Sequence, residues 1–274
     1  MKRGLRILAL ACATGMALMA IPASAKAEPA YLALGDSVPF GFNPLALTTP
    51  PVFNPTIAAN FVGYPEVLSK RLQVDVANAS CPGETTMHFV SLTGLDDNCG
   101  LYRASLPLHV AYASSQLDYA VGFLLTHPNT GLVTVMVGAD DLGAFARACG
   151  ADEVCIQHDI ATMSLPSLIT IFGTIRSVYG GELVVVTYYA RNNTPQEIGA
   201  VQQGDALITG VATQFGAQIA DGFAAFQAAE GPSLDPCAAN LLIRLPNGTC
   251  DSHPSALGQK VLAGAVKAVV RPED

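Results

Sequence analysis

The 274-residue sequence has no tryptophan, few charged residues (13%) and few aromatics (7%), and it carries neither a glycine- or proline-rich linker nor an internal repeat. Its 25 glycines follow no three-residue period and half of its residues are apolar, which excludes a collagen-like or disordered chain. With no linker to divide it, a chain of this length is expected to fold as one domain. No C-x-x-C pair occurs, and His88, His109, His127, His158 and His253 stand at no ligand spacing, so no metal centre is expected.

Basic residues are also scarce, and their placement is informative. Lys2, Arg3 and Arg6 precede an uncharged run over 7–21, which is followed by Pro22 and Ala23-Ser24-Ala25. This is the layout of a secretory signal peptide. The run of 15 residues falls short of the roughly 18 that a membrane-spanning helix needs, so no stable membrane anchor is expected. Cleavage after Ala25, with Ala27 as the alternative boundary, makes 1–25 the leader and 26–274 the mature domain, secreted or periplasmic. Removing three basic residues from 14 leaves 11 against 22 acidic ones, a net charge of −11. That balance argues against nucleic acid and anionic membrane surfaces as partners.

Cys12 leaves with the leader. The remaining six, Cys81, Cys99, Cys149, Cys155, Cys237 and Cys250, are an even set in an exported chain, which argues for disulfides. Sequential pairing, Cys81 with Cys99, Cys149 with Cys155 and Cys237 with Cys250, would staple three local loops.

Short segments rich in β-formers at 31–34, 74–77, 132–137, 183–188 and 217–220 alternate with helix-like stretches at 64–72, 114–126, 159–179, 196–215 and 255–270. The alternation predicts an α/β fold with a central, mostly parallel five-stranded sheet between two helical layers. Ligands of such sheets bind outside the carboxyl ends of the strands. Two long stretches, 39–60 and 81–108, interrupt the alternation and are expected to form functional rims, the second held by Cys81 and Cys99.

Directly after the first segment comes Gly35-Asp36-Ser37, where a glycine turn at a strand tip can expose a serine hydroxyl as a nucleophile. Near the other end, Asp251-Ser252-His253-Pro254 offers a loop histidine as general base with a carboxylate two residues earlier. Each alone is a weak signal; a capping serine or a surface histidine explains either.

Together they resemble the GDSL-type esterases and lipases, the SGNH hydrolases. Leu34-Gly35-Asp36-Ser37 is similar to the first block, Asn78-Ala79-Ser80-Cys81-Pro82-Gly83-Glu84-Thr85 to the second, and His253-Pro254 with Gly258 to the last. The resemblance implies a flavodoxin-like α/β/α domain without a cofactor, acting as a monomer on a small-molecule or lipid ester. It implies Ser37 as nucleophile, His253 as base, and the N–H groups of Ser37 and Gly83 in the oxyanion hole.

Two positions depart from the family pattern. The third block, Gly-x-Asn-Asp, reads Gly138-Ala139-Asp140-Asp141 here, and an ionised Asp140 has no proton to give an oxyanion. Either Asp140 is held protonated and donates, or the site is weakened, or Asp140 binds a neighbouring turn. The family's aspartate stands three residues before the histidine, where this chain has Cys250, so Asp251 or a backbone carbonyl must orient His253. The expected function is ester cleavage through an acyl-serine. The alternative is a weak or silent SGNH-fold protein that binds an ester, glycan or lipid. A structural or adhesion module would leave Ser37, Gly83 and His253 unexplained.

Among other candidates, Glu84 is expected to be solvated or to support a turn, and His88, His109, His127 and His158 lack partners in sequence. Phe40, Phe42 and Phe89, and likewise Tyr188 and Tyr189, fit either an acyl pocket or the core. The absence of a long apolar lid helix favours soluble short-acyl esters.

Overall fold

A computed structural model describes residue 1, residues 31–150 and residues 152–271; the expected leader lies outside the described residues apart from Met1. The elements are β1 (Tyr31–Gly35), α1 (Ser37–Phe40), α2 (Tyr64–Leu72), β2 (Val76–Asn78), α3 (Thr86–Val90), α4 (Cys99–Ser105), α5 (Gln116–Thr126), β3 (Leu132–Met136), α6 (Ala139–Cys149) and α7 (Glu153–Asp159). There follow α8 (Leu165–Val178), β4 (Glu182–Val186), α9 (Pro195–Ala212), β5 (Gln218–Ala220), α10 (Gly222–Glu230), β6 (Leu242–Arg244), β7 (Cys250–Pro254) and α11 (Ala256–Val269).

The first five strands form one parallel sheet in the order β2-β1-β3-β4-β5. Alternate side chains of a strand leave opposite faces, and both faces here are buried. Leu32, Leu34, Val133, Val135, Leu183 and Val185 pack on α5, α8 and α9 through Phe123, Ile171, Phe172 and Val211. Tyr31, Ala33, Leu132, Met136, Val184 and Val186 pack instead on α2, α10 and α11 through Tyr64, Leu68, Phe226, Leu262 and Val266. These are the three layers. The strand order reverses direction between β1 and β3, and the carboxyl ends of strands at such a switch point open a crevice.

The structure departs from the sequence expectations in four places. The stretch 81–108 is not a bare rim: it holds α3 and α4, with Thr85 capping α3 through a hydrogen bond from the His88 N–H. The 39–60 stretch contains two short 3₁₀ turns, the first capped by Asn43. The helix expected at 159–179 begins as a π-turn over Ile160–Ser164 before α8. Pro166, in the first turn of α8, has no N–H for an α-helical bond to the preceding turn. Finally, His253 lies not on a loop but on β7, the second strand of an antiparallel hairpin with β6.

Three disulfides close the sequential loops: Cys81–Cys99, Cys149–Cys155 and Cys237–Cys250. No helix among the described residues is long and apolar enough to cross a membrane.

Candidate active site

Gly35 ends β1 at φ +137°, and a Cβ there would lie 1.9 Å from the Met136 carbonyl oxygen, so only glycine lets β1 and β3 approach this closely before the turn. Asp36 then caps α1 by accepting from the Val38 N–H at 2.9 Å. Ser37 is the first residue of α1, where a helix N–H has no intrahelical acceptor. Behind this turn, the side-chain amide of Gln116 accepts from the Gly35 N–H and donates to the Gly35 carbonyl at 3.0 Å. The same amide donates to Glu84 Oε2 at 3.0 Å, and Glu84 Oε1 lies 2.5 Å from His88 Nδ1.

Glu84 is therefore not solvated, and of the two expectations the turn role holds: its N–H closes the turn after β2 by donating to the Cys81 carbonyl at 3.1 Å. It is fully buried, and burial raises its pKa against the opposing hydrogen bond from His88. His88 has the partner that its sequence neighbourhood did not reveal, and His109 Nε2 meets the Phe40 carbonyl at 3.0 Å.

The hairpin brings His253 to Ser37 from across the sequence: His253 Nε2 lies 2.9 Å from Ser37 Oγ. On the other side of the imidazole, Nδ1 lies 2.5 Å from Asp251 Oδ1, which also accepts from the His253 backbone N–H at 2.9 Å. The two-residue spacing works because residues i and i+2 of a strand share a face. Accordingly Asp251 and His253 are half-buried while Ser252 between them is exposed. Burial pushes the Asp251 carboxyl up, but the hydrogen bonds and charge of His253 outweigh it and hold the carboxyl below its ordinary range. The Tyr189 hydroxyl donates to the Ser252 carbonyl at 2.8 Å, and the Phe42 ring meets the imidazole edge-on with centroids 5.0 Å apart.

Ser37 and His253 border a cavity of about 490 Å³. One side is Gly138 and the start of α6 as far as Gly143, and the other is α9 with Val201, Gly204, Leu207 and Ile208. Ile160 and Leu168 extend the apolar lining, which is the composition of a small-molecule site. Asp36, Asp140, Asp141, Tyr188 and Asp205 contribute the polar part.

Tyr188 donates its hydroxyl to Asp36 Oδ2. Burial, opposed by this bond and by the Val38 N–H, raises Asp36 to about 6. Asp141 accepts from the Thr86 N–H at 2.7 Å, from Thr86 Oγ1 at 2.6 Å and from Ser164 Oγ at 2.5 Å. Asp140, one residue earlier, makes no such set: its Oδ2 is sealed from solvent without a hydrogen-bond partner among the described residues.

Gly83 stands apart from the cavity lining, in the turn after β2. Its φ of +83° and the 2.5 Å approach of the Asp97 carbonyl oxygen to a Cβ position require glycine there. Phe40 and Phe89 are core residues, Phe40 in a small cluster with Phe61 and Phe89 beside β1. The two close groups of potential metal ligands, Cys81-Glu84-Cys99 and Cys149-Cys155-Asp159, have their cysteines in disulfides, which leaves no thiolate to bind an ion.

Gln116 and the Glu84–His88 pair are the contributors that sequence reasoning missed. Gln116 lies 81 residues from Gly35, and no local pattern marks a glutamine that clamps a distant turn.

Comparison with known proteins agrees with this architecture. Axe2, an acetylxylan esterase from Geobacillus stearothermophilus, is 15% identical with a TM-score of 0.55, covering 89% of this chain and 94% of its own. LAE5, an α/β hydrolase from the metagenome of Lake Arreo, is 15% identical with a TM-score of 0.55, covering 87% and 93%. A protein described as a GDSL-like lipase, from Parabacteroides merdae, is 12% identical with a TM-score of 0.52, covering 86% and 92%. At these identities the likeness is one of fold. No curated protein matches the sequence. The model of the GDSL-like lipase/acylhydrolase family, however, matches residues 33–261, a span running from β1 into α11, and the chain belongs to that family.

Proposed function

We propose that the protein is an exported serine hydrolase that cleaves carboxylic esters through an acyl-enzyme. The observation that carries this reading is the hydrogen-bonded row Ser37–His253–Asp251 at the edge of an apolar cavity.

In the first step His253 Nε2 takes the Ser37 proton as Oγ bonds to the ester carbonyl carbon, and the carbonyl electron pair moves onto oxygen. Asp251 accepts from Nδ1–H throughout, which holds the imidazole in the tautomer with Nε2 free and stabilises the imidazolium that forms. The Ser37 N–H donates to the oxyanion, and the family resemblance assigns a second donor to the Gly83 N–H. Collapse expels the alcohol, which takes the proton from His253. Water then repeats the sequence on the acyl-serine and releases the acid. Ser37, His253 and Asp251 form the catalytic row.

The acyl group lies along Leu207 and Ile208 in the cavity. Short acyl groups, including the acetyl esters that the name of Axe2 indicates for that enzyme, fit this volume. Export is supported by the leader-like N-terminus and by the disulfides, which persist in oxidising compartments.

The test is hydrolysis of p-nitrophenyl acetate by the mature protein with Ser37→Ala alongside. Turnover abolished in the variant supports the reading. Turnover that survives it, or a folded and disulfide-intact wild type that cleaves no ester from acetyl to octanoyl, overturns it.

A further inference from the structure

We propose that Asp140 is a neutral carboxylic acid that donates its proton as a hydrogen bond to the oxyanion on the Ser37 adduct, so that turnover falls as the medium becomes alkaline. This deepens the esterase reading and rests on it.

The inference starts from the contrast between two adjacent carboxyl groups at the start of α6. Asp141 receives three donors, two from Thr86 and one from Ser164, and is built as an acceptor. Asp140 lines the cavity with Ser37 and His253, yet its Oδ2 is buried with no partner among the described residues. A carboxylate oxygen sealed from water without a donor is costly to hold charged, whereas a carboxylic acid with its proton on that oxygen needs only one acceptor. Oδ2 finds none among the described residues, and the tetrahedral adduct supplies one.

The charges around Asp140 point the same way. Asp36 faces it from the β1–α1 turn, Glu84 from the turn after β2, Asp97 from the segment before α4, and Asp141 from its own helix. From the side of α9 the cavity adds Asp205, and from the end of β4 it adds Tyr188, whose hydroxyl is committed to Asp36. The arginines on this side are engaged elsewhere, Arg147 with Asp97 and Arg191 with Glu197, and the His253 ring is held by Asp251 and Ser37. Burial first, and then these carboxylates, push Asp140 well above its ordinary value.

One effect opposes this. The N-terminus of α6 favours an anion, by about 0.3–1 kcal/mol and at most about 2.

The two protonation states act in opposite directions. The acid donates to the developing oxyanion, while the carboxylate has only lone pairs and a charge that repels it. The acid is populated at low pH and lost as pH rises through the raised value, so the loss of rate lies on the alkaline side.

The experiment compares pH profiles of kcat and kcat/KM for p-nitrophenyl acetate hydrolysis by the mature wild type, Asp140→Asn and Asp140→Ala, with circular dichroism at each pH to confirm folding. An asparagine amide donates at every pH. The Asn variant should match the wild type within a few-fold at acidic pH and exceed it about tenfold or more at alkaline pH, with the alkaline limb absent. The Ala variant should be slower by about 10²-fold in the acidic range, the scale of one oxyanion donor.

Infrared difference spectra of wild type minus Asp140→Asn at neutral pH read the group directly. A protonated-carboxyl band in the wild type supports the assignment and a carboxylate band overturns it. Serine-dependent turnover with parallel wild-type and Asn profiles, or an Ala variant at the wild-type rate, overturns the role of Asp140 alone. Turnover indifferent to Ser37→Ala overturns the esterase reading, and the Asp140 assignment with it.

Discussion

Ser37 follows a strand buried on both faces, and the turn that carries it is gripped from behind by Gln116 and Glu84. His253 belongs to a two-stranded hairpin outside the main sheet, rooted by Leu241 and Leu242 in the core, tied by Cys237–Cys250, and exposed at its tip. The first segment is positioned by the same interactions that hold the fold together. The second is positioned by a disulfide and a few polar bonds, including the core Tyr189 hydroxyl to the Ser252 carbonyl and Ser255 N–H to the Leu241 carbonyl at 2.8 Å. Changes behind Ser37 are therefore expected to cost stability and activity together, whereas changes in the hairpin are expected to cost activity first.

The largest effect is set by the chemistry itself. Replacing Asp251 with Asn should lower kcat by about 10⁴-fold, because the amide favours the wrong imidazole tautomer. The melting temperature should stay within a few degrees of wild type, as the group is half-buried and peripheral to the core. A large drop in melting temperature would erase the distinction between the two regions.

Gln116→Leu probes the other side. It strips the Gly35 N–H and Glu84 Oε2 of the Gln116 amide, while the Gly35 carbonyl keeps the Cys81 N–H at 3.0 Å. Leaving such groups unsatisfied should destabilise the fold by about 2–4 kcal/mol. Denaturant unfolding measures it, and an unchanged midpoint would show that the clamp holds nothing.

Removing the hairpin staple with Cys237→Ser plus Cys250→Ser opens a loop whose ends are 13 residues apart, for which chain entropy gives about 3 kcal/mol. Faster hydrogen exchange confined to residues 237–254 and a several-fold fall in kcat are expected. Faster exchange spread through β1 and β3 would mean that the hairpin is part of the global cooperative unit.

The smallest effect sharpens the view of the cavity wall. Asp205 accepts from the Tyr188 N–H at 2.9 Å, and burial raises it to about 7. The native state thus keeps a proton that the unfolded chain has released above about pH 4, so this group's contribution to stability is present below that pH and is lost as pH rises to 7. After allowance for its partial exposure, Asp205→Asn should gain about 1 kcal/mol over wild type at pH 8 relative to pH 4. Parallel stability curves would refute the shift.

The parallel sheet was legible because strands buried on both faces read as short apolar runs, such as 132–137, and because helices separate them. The hairpin was not: Leu242-Ile243-Arg244 is only three residues long, and Cys250-Asp251-Ser252-His253-Pro254 contains none of the β-branched or aromatic residues that mark a strand. Missing β7 left the Asp251 spacing unresolved, since the pair shares a face only on an extended chain. α6 was hidden by Gly143 and by two acidic residues in its first turn, which serve the helix terminus but break an apolar pattern. The buried Glu84–His88–Gln116 network joins residues up to 32 positions apart, and its partners are chosen by packing rather than by local sequence.

The most direct test of a Ser37–His253 pair assembled from two differently held regions is labelling of the mature protein with a fluorophosphonate, followed by mapping of the adduct. One adduct on Ser37 is expected, absent in Ser37→Ala and formed far more slowly in Asp251→Asn. Labelling at another residue, or none in a folded and disulfide-intact sample, would contradict it.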